Sequence, residues 1–349
     1  MRTPPAGIGT TGRDVRGVRP SGLLAGAVAV LLMIAACSGS GADPAGTSGG
    51  AAPSPSGSSA IAPSPSVSAS SGQPAAGGGA YSKVLVIAEE NESFHKVLGG
   101  DRAPFLTSLA QRYGSATSMD AGYPTNCPSL AAYLIMTSGD RHGVCDDDDP
   151  AQHRITGPNI FEQVASSGRE WRNYAESMPA PCTRSNDDPY LVRHAPAPYY
   201  VSEDTRCDRW MLPLGTTARG ALHDDLVAGR LPAYGFVTPD ACNDMHGGHG
   251  CQNGDLVTDG DRWLSQWLPQ VMAGPDYRAG RLIIMITWDE GNDETNHIPA
   301  LVISPSTNKV TVDRRLTQCN LLRTIQDVLH LTPLGCAATA APVTTDFGL

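Results

Sequence analysis

From residue 81 onward, near-continuous apolar runs alternate with stretches whose apolar positions recur at helical spacing. The runs "KVLVIA" (83–88), "AYGFVTP" (233–239), "RLIIMITWDE" (281–290) and "IPALVISP" (298–305) predict strands buried on both faces. The shorter "EWRNYAES" (170–177) predicts one more. Helical spacing predicts helices over 103–114 with Gly114 as a stop, from Pro128 to Gly139, over 159–168 with Gly168 as the stop, and over 222–232 with a stop near Gly229. Two further helices are predicted over 259–272 and 316–331. Helices interleaved with buried strands point to an α/β fold, a mostly parallel central sheet covered by helices on both faces. No internal repeat is seen.

The first 80 residues follow a different pattern. Arg13, Arg16 and Arg19 precede the apolar run "LLAGAVAVLLMIAAC", which ends in small residues before Cys37. A basic segment, a short apolar core and small residues describe a secretory signal peptide over 1–36. The "IAAC" ending resembles a bacterial lipobox, with Cys37 as the lipidated residue and the membrane as its partner. An uncleaved membrane helix is the alternative, but the run is shorter than the ~20 residues a span prefers. Residues 38–80 are almost all Ser, Gly, Pro and Ala, a composition that cannot bury a core, and they read as a tether. The folded domain is therefore placed at 81–349.

The chain has 349 residues and a formal net charge of -10, which argues against a nucleic-acid binder and against a polybasic membrane patch. Setting Cys37 aside from the nine cysteines leaves an even number, which in an exported chain implies disulfides. Sequence neighbours give the simplest pairing: Cys127–Cys145, Cys182–Cys207, Cys242–Cys251 and Cys319–Cys336. No C-x-x-C pair is present, so a thiolate zinc site is not expected.

Two predicted strands end in oxygen-rich residues, Glu89, Glu90 and Asn91 after the first and Asp289 and Glu290 after the "LIIMITW" run. In open α/β sheets ligands sit beyond the carboxyl ends of the strands. Were the two strands neighbours, three carboxylates would converge. Two like charges ~4 Å apart repel by roughly 4 kcal/mol at a surface-like dielectric. Such a cluster needs protons or a divalent cation. Glu89 and Glu90 point to opposite sides of a strand, and spacing alone does not choose between them.

"NCPSLAAYLIMTSG" places Ser129 in the first turn of a helix, just after Pro128. There a Ser is ordinarily a cap. It is also near free N–H groups that bind anions, where it can act as a nucleophile. His194, His246 with Asp244 two residues before it, His249 and His297 lie near predicted strand ends or turns. The "DDDD" run, 146–149, lacks the ligand spacing of an EF-hand and reads as a solvated turn.

Several stretches resemble the bacterial phosphoesterase family of secreted acid phosphatases and phospholipases C, in the alkaline phosphatase superfamily. "AEENESF" resembles its E-N-x-S-F signature and "PSLAAYLIMTSGDRHGV" its nucleophile segment. "WRNYAESMP", "YLVRHAP", "LPAYGFVTPDACNDMHGG", "ITWDEG" and "LLRTIQDVLHL" follow in the family's order. The resemblance implies an alkaline-phosphatase-like fold and one divalent metal ion held by Glu90, Asn91, Asp289 and Glu290. It implies Ser129 as nucleophile, and His194 and His246 steadying phosphate oxygens or assisting proton transfer. Asp244 and His297 are possible additional site residues. Cys127 stands where the family often has His, Ala131 and Ala132 where it often has Pro and Asn, and His95 where Asp is common.

The expectation is an extracytoplasmic, lipid-anchored phosphoric ester hydrolase of acid-phosphatase type, acting on a phosphoester substrate. A phospholipase C-type diesterase is the alternative, although no C-terminal lipid-binding extension is expected here. So is a non-catalytic surface binding protein on the same fold.

Overall fold

The computed structural model describes residues 81–349 apart from 124, 125 and 253. The signal peptide, Cys37 and the tether lie outside the described residues. Nine strands form one sheet: β1 (Lys83–Glu89), β2 (Gly114–Asp120), β3 (Trp171–Ala175), β4 (Met211–Pro213), β5 (Tyr234–Thr238), β6 (Leu282–Trp288), β7 (His297–Ile303), β8 (Val310–Val312) and β9 (Leu316–Thr317). Their order is β4-β3-β5-β1-β6-β7-β2-β8, with β9 also on β2. All pairs are parallel except β6–β7 and β2–β7.

This order matters for function. β1 lies between β5 and β6 and runs parallel to both, so three strands end side by side on one edge. The residues that follow them, Glu90–Asn91, Asp240–His246 and Asp289–Glu290, are delivered to one place. The register puts Glu89 opposite Trp288, and the Asp289 N–H continues the ladder to the Glu89 carbonyl at 3.0 Å.

The central strands are apolar on both faces because both are covered. Val86, Met285 and Thr287 on the sheet face Met136 of helix Leu130–Ser138 and Leu321, Leu322 and Ile325 of helix Gln318–Val328. Alternation along β1 turns Leu85, Ile87 and Glu89 to the other side. There, helices Pro104–Arg112 and Leu256–Ala273 pack on each other, and Asp261 of the second accepts the N–H groups of Phe105 and Leu106 at 3.1 and 2.8 Å.

Four disulfides join the sequence neighbours: Cys127–Cys145, Cys182–Cys207, Cys242–Cys251 and Cys319–Cys336. They suggest a protein of an oxidising, extracytoplasmic compartment. No helix among the described residues is long and apolar enough to cross a membrane.

Two local expectations need correction. Gly114 does not stop a helix but opens β2, where a Cβ would come within 2.6 Å of the Phe347 ring. The acidic run is not merely a solvated turn either: Asp147 Oδ1 accepts the backbone N–H of Leu130 at 3.0 Å, and Asp148 accepts the Tyr199 hydroxyl on its carbonyl at 3.1 Å.

Candidate active site

Ser129 has helical backbone angles (φ -44°, ψ -44°) and directly precedes helix Leu130–Ser138, which Gly139 terminates in the left-handed conformation (φ 73°). Its side chain makes no capping bond to the helix. Instead the buried hydroxyl donates to Glu90 Oε2 at 3.1 Å. A cap would have spent this hydroxyl on a backbone N–H; here it is aimed at an acid beyond the sheet edge.

Glu90 is fully buried. Its other oxygen accepts the Tyr133 hydroxyl at 2.5 Å. Ser129 and Tyr133 are four residues apart, so one helix face presents both donors. Sequence reading missed Tyr133, although that spacing from Ser129 was a usable signal. Asn91 turns the chain with a positive φ of 40°, and its N–H donates to Asp289 Oδ1 at 3.1 Å. Glu290 sits at the flank and accepts the Tyr123 hydroxyl at 3.0 Å. Glu89 faces away, fully buried, with neither carboxylate oxygen hydrogen-bonded among the described residues.

The β5 end supplies the histidine side of the site. Asp244 Oδ1 accepts the His246 backbone N–H at 2.8 Å, and the intervening Met245 has a left-handed φ of 77°. The Cys242–Cys251 bond closes this loop. His194, from the 3-10 turn Val192–His194, is buried and stacks on Tyr133 with ring centroids 5.4 Å apart. Its Nδ1 is 3.2 Å from Asp244 Oδ2 and its Nε2 is 3.3 Å from Glu90 Oε1. One ligand atom each from Glu90, His194 and His246 lies within 4.8 Å of the others.

His297 is placed differently. It opens β7, its Nε2 meets the Thr117 carbonyl at 3.0 Å, and its ring stacks on Phe94 at 4.8 Å. No hydrogen bond among the described residues joins it to Ser129 or Glu90. His249 is exposed near Asp188. Cys127, Ala131 and Ala132 are buried.

Electrostatically the site is short of positive charge. Burial, then the nearby Asp289 and Asp244 charges, push the Glu90 carboxyl well above the usual range. Burial pushes Asp289 up to about 6, and burial with the Asp289 charge pushes Glu290 up to about 7. Asp244 is raised by burial, while burial lowers His194 and favours its neutral ring. With Nδ1–H directed at Asp244, the His194 Nε2 lone pair faces the Glu90 oxygen. Two acceptors at 3.3 Å call for a shared proton or a cation. Asp289 Oδ2, Asn91 Oδ1 and His194 Nε2 are all buried without a hydrogen-bond partner among the described residues. Such orphaned oxygens and a neutral imidazole suit a divalent ion.

The comparisons with known proteins fit this arrangement. The phosphoesterase family matches residues 100–332, a span that contains Ser129, His194, His246, Asp289 and Glu290. A protein of Mycobacterium tuberculosis named phosphatidylinositol-3-phosphatase is 25% identical over 270 residues, covering 77% of this chain and 83% of that one. An Aspergillus fumigatus acid phosphatase is 23% identical over 221 residues, 61% of this chain, but the match spans only 45% of the fungal protein. In fold, an alkaline phosphatase superfamily protein of Vibrio parahaemolyticus superposes with a TM-score of 0.53 at 14% identity, covering 76% of this chain and 70% of that one. The family match runs over well more than half the chain and includes the acids after β6, the helix that follows Ser129 and the histidine loop after β5, so the chain belongs to the phosphoesterase family and is a hydrolase of phosphoric esters.

Proposed function

We propose that this chain is an exported, metal-dependent phosphomonoesterase in which Ser129 is the nucleophile and Cys37 carries the membrane anchor. The observation that carries the reading is the Ser129 hydroxyl on Glu90 at 3.1 Å, beside the orphaned oxygens of Asp289 and Asn91. Glu90, Asn91, Asp289 and Glu290 would hold the ion, with His194 and His246 beside Glu90. When bound, a divalent cation would offset the buried acids and ease loss of the serine proton.

The chemistry of the chain's own groups then follows. Ser129 Oγ forms a bond to phosphorus as the bond to the alcohol oxygen breaks, and the serine proton leaves through the acids around it. The departing alcohol takes a proton at the half-buried His246 edge. Water later attacks the phosphoserine, releasing phosphate and restoring the hydroxyl. Asp244 fixes the His194 ring, and Tyr133 holds Glu90 against the nucleophile.

The name of the Mycobacterium tuberculosis relative makes a phosphoinositide monoester one substrate to include beside small aryl phosphates. Release of p-nitrophenol from p-nitrophenyl phosphate, with and without Mg, Mn, Ca or Zn after chelation, tests the reading. Metal-stimulated turnover is expected. A chelated and reloaded protein that hydrolyses no phosphoester under any of these ions contradicts it.

A further inference from the structure

Beside the nucleophile turn is an ion pair that the reaction above does not use. Asp147 Oδ1 accepts the N–H of Leu130, the residue after Ser129, at 3.0 Å. Its Oδ2 lies 3.1 Å from Nε of Arg193, the residue before His194. A single carboxylate therefore ties the nucleophile turn to the histidine turn. The Cys127–Cys145 bond brackets Ser129 and ends two residues before Asp147, which fixes the two segments together.

The Arg193 side chain is mostly buried, with 15% of its surface exposed. Its Nε contact to Asp147 is not aligned as a hydrogen bond. Among the described residues, no hydrogen bond occupies either terminal guanidinium nitrogen. An arginine held by its neck, with an uncommitted fork, is the arrangement that recognises a planar or tetrahedral oxyanion bidentately. Its surroundings include the reacting groups. Through Asp147 its guanidinium is linked to the Leu130 N–H that follows Ser129, and its chain neighbour His194 lies 3.3 Å from Glu90. Four acids, Glu90, Asp244, Asp289 and Glu290, crowd the site, so a phosphoryl dianion entering it gains from a fixed positive side chain in addition to the cation proposed above.

We propose that Arg193 is the phosphoryl-anchoring residue of this site, held in place by Asp147, and that it favours monoesters over diesters. The inference rests on the hydrolase reading above. A monoester presents three free phosphoryl oxygens and up to two negative charges; a diester presents two oxygens and one charge. The guanidinium fork therefore gains more from the monoester. Asp147 takes the Leu130 N–H that an anion would otherwise use, so the anchoring is passed from the helix terminus to the arginine.

The test compares wild type, R193Q, R193K and D147N, each reloaded with the same metal. Turnover is measured on p-nitrophenyl phosphate and bis-p-nitrophenyl phosphate, with inhibition by inorganic phosphate. A charged hydrogen-bonding partner of this kind corresponds to about 10- to 100-fold. R193Q should lose about that factor in kcat/KM on the monoester and in phosphate affinity, with only a few-fold loss on the diester. R193K should fall between, and D147N should raise KM more than it lowers kcat. Equal losses on both esters, or an unchanged phosphate inhibition constant in R193Q, overturns the inference while leaving the hydrolase reading standing. A wild type that turns over neither ester removes both.

Discussion

Tyr133→Phe isolates one hydrogen bond at the centre of the site. The ring can stay where it is, stacked on His194 and edge-on to Phe236 with centroids 6.0 Å apart, so no large cavity opens. What disappears is the 2.5 Å donation to Glu90 Oε1. Leaving a buried carboxyl oxygen without its donor costs about 1–3 kcal/mol. Glu90 is fully buried, and among the described residues its remaining donor is Ser129. Without metal, the variant should lose about 2 kcal/mol, or roughly 4–8 °C in Tm for a domain of this size. With metal bound, a cation beside Glu90 replaces part of that stabilisation, and the loss should shrink to about half. The variant should also bind metal several-fold more weakly, because Glu90 is no longer held in one rotamer. Thermal unfolding with and without chelator, together with titration calorimetry, measures both. A Tm within about 1 °C of wild type in chelator, at unchanged metal affinity, refutes the reasoning about Glu90.

Other outcomes follow from the same geometry. Asp289→Asn keeps the shape and an acceptor for the Asn91 N–H but removes a charge; metal affinity should fall tenfold or more, and excess metal should restore part of the activity. For pH, the folded Asp289 carboxyl titrates at about 6, above its ordinary value of 3.8. The fold therefore retains a proton that the unfolded chain has lost, and the metal-free domain should lose about 2–3 kcal/mol as pH rises from about 4 to 7. Urea unfolding in chelator should show that slope in wild type and a flatter one in Asp289→Asn; the same slope in both contradicts the assignment. Cys37→Ala should move the protein from the membrane to the soluble fraction, and equal membrane association in the variant counts against lipidation.

Much of this site was legible because apolar runs stop abruptly. "KVLVIA" and "LIIMITW" mark β1 and β6, and the oxygen-rich residues after them reach one edge because the strands are parallel neighbours. Spacing left Glu89 and Glu90 open. The fold turns Glu90 to Ser129 and Glu89 to the opposite face, as strand alternation requires. β2 was not legible: "GSATSMD" carries neither an apolar run nor a clean alternation, and its burial comes from its neighbours β7 and β8. Tyr133 was hidden for the converse reason, since a tyrosine inside "LAAYLIM" reads as packing. Asp147 was lost in a run of four acids, where only the fold distinguishes the residue that meets Leu130 from those that meet water or His153.

The central claim is that Ser129 forms the bond to phosphorus. Ser129→Ala removes one small hydroxyl and should leave fold and metal content nearly unchanged. Loss of a nucleophile costs ~10⁴-fold or more in rate, roughly 5 kcal/mol of barrier, whereas loss of a helix cap costs only ~1 kcal/mol of stability. The direct measurement is the phosphatase rate of wild type and Ser129→Ala at equal bound metal, with acid quenching and peptide mapping for phosphoserine. The account predicts a phosphorylated Ser129 peptide in wild type and a rate at least ~10⁴-fold lower in the variant. Near-normal turnover in Ser129→Ala at matched metal content would contradict it.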